Sequence, residues 1–174
     1  MTKTSLGRSL FVLLLLGSLW SSAQQRVPSG SKLKLHWHGS SVRFIEDGRE
    51  HEVSLKGLFN AVELESVELQ SAAESKGFMY LLLDVVGPSK LPRDNHECGA
   101  GNESDLVWLK LDQHWKLLDA KNFRYDSCWT AVSMIDLPSW EGDTLTVATE
   151  NKVVTYSYKR PEEGLKIADS AAVK

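Results

Sequence analysis

The stretch LKLHWHGSSVRFIEDGREHEVSL, residues 33–55, decides the fold. Leu33, Leu35 and Trp37 alternate with polar residues, and Gly39-Ser40 then interrupts the run. Val42 and Phe44 resume the alternation, Asp47-Gly48 interrupts it again, and His51, Val53 and Leu55 follow. A period of two marks a strand with one covered face. Glycine leading a two-residue connection, and Asp-Gly, are both sequences that close hairpins. Three antiparallel strands in a meander follow from this spacing.

The two turns also set a register. Trp37 pairs with Val42 and Leu35 with Phe44; across the second turn, Val42 pairs with Val53 and Phe44 with His51. One face collects Leu33, Leu35, Trp37, Val42, Phe44, Val53 and Leu55, with His51 among them. That places Trp37 in the core and makes His51 a packing residue. The opposite face collects Lys34, His36, His38, Arg43, Glu50, Glu52 and Ser54, with Ile45 as its one apolar member.

Downstream the same logic continues. Residues 61–70 alternate with a slip of phase at Glu65-Ser66, read as a bulge or a break between strands; a helix over residues 62–74 is the competing reading. Residues 77–86 (GFMYLLLDVV) are almost continuously apolar, as a central strand covered on both faces would be. Residues 106–111 alternate, Asp112 to His114 form a turn into Trp115–Leu118, and residues 123–132 favour strand. A last hairpin closes at Glu150-Asn151 and sets Val147 opposite Val154 and Leu145 opposite Tyr156. The expected fold is all-β, an antiparallel β-sandwich or barrel of about ten strands joined by hairpins. Residues 32–160 form a single β domain, preceded by a linker over 24–31. Residues 161–174, polar and rich in small side chains, are expected to be a flexible tail.

The first 23 residues read as a signal peptide. Lys3 and Arg8 precede the apolar run LFVLLLLGSLW, and Ser21-Ser22-Ala23 supplies small residues for cleavage before Gln24. The apolar run is shorter than the roughly 20 residues of a permanent span, and no cysteine follows it to carry a lipid, so no stable membrane anchor is expected. The expectation is export, to a periplasmic or extracellular location. Loss of the two leader cations takes the formal charge from −3 to −5. No basic run exists, which argues against nucleic acid as a partner. Cys98 and Cys128 are the two cysteines, and in an exported chain they are expected to pair as a disulfide.

Candidate chemistry is sparse. His36 and His38 share a face about 7 Å apart, a spacing suited to a divalent metal. Arg43 sits beside them, however, and no third ligand is near in sequence, so no cofactor is called for. Residues 87–105, GPSKLPRDNHECGAGNESD, form the least regular stretch of the mature chain. Loops held on a rigid scaffold are where binding groups concentrate, and His96, Glu97, Glu103 and Asp105 could form an oxygen-rich ligand site there. Asn102-Glu103-Ser104 is a glycosylation acceptor pattern. Trp115 and Trp140 lie at or beside turns, where an exposed indole could stack on a sugar. The favoured function is an exported, non-catalytic binding module that takes an unknown ligand or protein partner, with a glycan as one version, through its loop end. The competing reading is a small metal-assisted or carboxylate-based hydrolase; no nucleophile motif or paired acids support it, and an enzyme is not favoured.

Overall fold

A computed structural model describes residues 33–59, 61–90 and 101–170. Its organising element is a four-stranded antiparallel sheet of β4 (Ser66–Ser75), β5 (Phe78–Pro88), β6 (Asn102–Leu111) and β7 (Leu117–Ser127), in that spatial order. A three-stranded meander of β1 (Lys34–His38), β2 (Ser41–Glu46) and β3 (Arg49–Ser54) covers one face. The other face packs against a sheet ordered β11-β10-β9-β8, built from β8 (Met134–Glu141), β9 (Thr144–Thr149), β10 (Lys152–Ser157) and β11 (Lys166–Asp169). The result is a sandwich of three layers.

The apolar run in β5 explains why the middle layer is in the middle. Leu81, Leu83 and Val85 point to the meander side, where Val42, Phe44, Val53 and Leu55 meet them. Tyr80 and Leu82 point the other way, onto Leu145, Val147, Val154 and Tyr156. Successive strand side chains face opposite sides, so a strand buried on both faces must be apolar at consecutive positions. β6 follows the same rule, with Val107, Leu109 and Leu111 on one side and Leu106 and Trp108 on the other.

The register read from the two turns holds at every pair: Trp37 with Val42, Leu35 with Phe44, Val42 with Val53 and Phe44 with His51. Val147 faces Val154 and Leu145 faces Tyr156, also as expected. His51 packs as a flat ring, stacked on Trp115 at 4.5 Å between centroids. Residues 66–75 are strand rather than helix; the phase slip at 65–66 is where β4 begins, and the bulge falls later, between Leu69 and Ser71.

Three expectations are corrected. Residues 161–170 are not a free tail: after the 3-10 turn Pro161–Glu163, β11 pairs antiparallel with β10. Pro161 and Leu165 are buried, the Trp108 indole N–H donates to the Pro161 carbonyl at 2.9 Å, and Gly164 lies against the face of that indole. One distant tryptophan thus anchors a segment whose own composition is polar. Residues 171–174 lie outside the described residues. Trp37, second, is 39% exposed despite facing the apolar side, because β1 is the edge of its sheet. Third, residues 115–118 and 123–132 do not mark separate strands: β7 runs unbroken from Leu117 to Ser127, and Val132 lies beyond it.

Gly87 shows why the crossing from β3 to β4 needs glycine. Residues 61–65 lie over the end of β5, with the Val62 and Glu65 amides donating to the carbonyls of Pro88 and Val86. A Cβ at Gly87 would sit 2.1 Å from the Glu63 carbonyl oxygen, well inside contact distance.

Candidate functional site

The loop end of the central sheet is where the start of β6 meets the ends of β5 and β7: Glu103 pairs with both Gly87 and Ser127. Four polar side chains converge there. The Ser89 hydroxyl donates to Glu103 Oε1 at 2.6 Å. Arg124 donates from Nε and Nη2 to the two oxygens of Asp105, at 3.1 and 3.0 Å. Arg124 Nη1 also lies 3.1 Å from Glu103 Oε2, an ion-pair contact without hydrogen-bond alignment. Glu103 and Asp105 are fully buried, and the Arg124 side chain is mostly so.

Burial pushes the Asp105 carboxyl above its ordinary range, because a charged carboxylate loses its water; the Arg124 bonds pull it back down. A forked guanidinium is the one side chain whose geometry serves a carboxylate bidentately while still reaching a second acid. Chemically this is a clamp joining β5, β6 and β7. On the opposite face of the same sheet, the Tyr125 hydroxyl donates to Asp84 Oδ1 at 2.7 Å. Burial pushes Asp84 up to about 6, and burial also raises Tyr125.

Glu103 and Asp105 are therefore strand residues facing the interior, not loop residues offered to a ligand. His96 and Glu97 lie outside the described residues. Trp115 is buried beneath His51, with a left-handed backbone at φ 62. Trp140 is partly buried, donating its indole N–H to Gln70 Oε1 at 3.3 Å and meeting Tyr156 edge-on. Neither indole is a flat exposed platform. His36 and His38 are exposed, as the register requires, around a shallow depression that Trp37, Arg43 and Glu52 also line. Arg43 pairs there with Glu50 at 3.3 Å and with Glu52 at 3.8 Å. Among the described residues no group of three or more His, Cys, Asp or Glu side chains is placed to hold a metal ion.

Sequence reasoning missed Arg124 and Tyr125. Counting back from the Leu111–Leu117 pair without a shift sets Asp105 opposite Phe123; the register shift at Lys110/Leu111 moves Arg124 there instead.

It also missed β8, and with it the most unusual surface. Eight large apolar side chains are exposed among the described residues, and four of them fall between residues 129 and 137. These are Trp129 (39%), Met134 (37%), Ile135 (59%) and Leu137 (69%). Trp129 sits in the turn after β7, at the loop end; the others stand on β8, the edge strand of its sheet. Asp136 is the one charged residue in the stretch 129–137. β8 carries two register irregularities against β9, and Pro138 removes an amide donor. Such features keep an edge from recruiting strands indiscriminately, while leaving its side chains free to make contacts.

Comparison of the chain with family models, with curated proteins and with solved structures finds no match.

Proposed function

We propose that this is an exported, non-catalytic β domain that binds a protein partner through its loop end, with the apolar row Trp129, Met134, Ile135 and Leu137 as the contact surface. The observation that carries this reading is the concentration of that row on one turn and one edge strand. Isolated exposed hydrophobes are ordinary; several in sequence, with a single charge among them, mark interaction sites. Summed over the four side chains, the exposed area is on the order of 400 Å², comparable in size with the largest patch on a typical monomer. About 800 Å² per partner makes a standard interface, so this row would be the apolar centre of a contact that polar rim residues complete.

A Cys98–Cys128 disulfide belongs to the same proposal. It would tie the connection between β5 and β6 to the turn that carries Trp129, closing a loop of about 30 residues and adding roughly 3 to 4 kcal/mol of stability. The glycan version loses its support with Trp115 buried and Trp140 engaged by Gln70 and Tyr156. The hydrolase reading loses its acids: Glu103 and Asp105 are committed to Arg124 and Ser89, and Asp84 to Tyr125.

The test is a photo-reactive side chain at position 135 of the full chain, irradiated in the cells that make it. The reading predicts discrete protein adducts that disappear when Leu137→Glu is added. Adducts no more abundant than from the exposed position Lys121, or unchanged by Leu137→Glu, would overturn it.

A further inference from the structure

A second concavity lies at the opposite end of the central sheet, beside the hairpin that joins β4 to β5. This cleft has a volume of about 440 Å³, inside the size range of small-molecule sites. All three layers contribute to it. Leu33 comes from the meander side, Ala72 and Met79 from the central sheet, and Pro161 from the turn before β11. Ala72 and Ala73, successive residues of the edge strand β4, line it from that strand's two faces.

The charges on its rim are unequal in their commitments. Lys159 lines the cleft, but its ammonium is already paired with Asp143. Glu46 and Glu74 line it too, and no ion pair or hydrogen bond among the described residues engages either side-chain carboxylate. An apolar floor under two uncommitted carboxylates favours a ligand with an apolar body and one positive end. The ligand's body removes the partly exposed Leu33 and Met79 from water, and its charge meets the acids where desolvation is partial and the attraction is retained.

We infer that the cleft is a binding site for a small organic ammonium carried on an apolar chain or ring, separate from the protein-binding surface on β8. The site needs no closure or rearrangement, because the cleft is already open between the edge strand β4, the end of β2, the start of β5 and the turn at residues 158–161.

The test titrates the full mature chain with n-octylamine, protonated at pH 7, and separately with neutral n-octanol, by calorimetry and by amide chemical shifts. The amine is expected to bind at least tenfold more tightly than the alcohol and to shift the amides of Ala72, Ala73 and Met79. The double variant Glu46→Gln, Glu74→Gln changes two solvent-facing side chains isosterically, so it should fold normally and lose the amine preference. Raising the salt should weaken the amine and leave the alcohol unchanged. The inference is overturned by equal binding of amine and alcohol, by an amine preference that survives in the double variant, by shifts that map elsewhere, or by no binding of either probe up to millimolar concentration.

Discussion

β6 and β8 break the ordinary polarity rule in opposite directions. β6 runs through the middle of the central sheet and buries two carboxylates, Glu103 and Asp105, with no exposed surface on either. β8 lies at the edge of an outer sheet and shows solvent Met134, Ile135 and Leu137. The compensation differs, and that difference separates structure from function. The β6 acids have partners within the fold, in Arg124 and Ser89, so their burial is a structural device. The β8 hydrophobes have no covering layer among the described residues, which is why they are proposed as the contact surface for another molecule. Buried charge is answered within the fold, whereas the apolar area of β8 is left uncovered by the described residues.

Breaking the β6 arrangement should have the largest effect. Arg124→Met leaves two buried acids without their cation, and denaturant unfolding should show a loss of about 3–5 kcal/mol. Gly87→Ala acts on the residue paired with Glu103 and should cost several kcal/mol, because the added Cβ meets the Glu63 carbonyl oxygen at 2.1 Å. A loss below about 1 kcal/mol in both variants would show that the loop-end clamp is not a stabilising element.

Asp84 gives a smaller and pH-dependent effect. Burial raises its folded value from 3.8 to about 6, so between those values the native state holds more proton than the unfolded chain. Its contribution is therefore fully present at acid pH and is lost as pH rises from about 4 to about 6, by roughly 2–3 kcal/mol. Asp84→Asn cannot titrate, and the difference between variant and parent stabilities, followed from pH 4 to 7, should move in the variant's favour over that window. A flat difference would contradict the raised value. Reducing the proposed disulfide should cost about 3 kcal/mol, and intact mass before reduction should fall two hydrogen atoms short of the dithiol form.

The legible parts of the fold were those where turn chemistry sits between short alternating runs. Gly39-Ser40 and Asp47-Gly48 fix the meander pair by pair, and the doubly apolar run of β5 announces a central strand. What escaped was non-local. β11 depends on Trp108 receiving Pro161 and Gly164, a contact spanning more than fifty residues. β8 has its apolar side chains outward and its register twice shifted, so neither periodicity nor burial marks it. Of the candidate site, Glu103 and Asp105 stand out in the sequence as acids of an irregular, ligand-binding loop, whereas they lie buried in β6 and are answered within the fold. Arg124, the residue that pairs with them, is hidden by the register shift at Lys110/Leu111.

The central claim is that the β8 row belongs to a partner and not to the fold. Equilibrium unfolding of the double variant Ile135→Ser, Leu137→Ser tests it most directly. Side chains that pack against nothing internal should change stability by no more than about 0.5 kcal/mol. A loss above about 2 kcal/mol would mean that the row is covered within the chain itself, and would contradict the account.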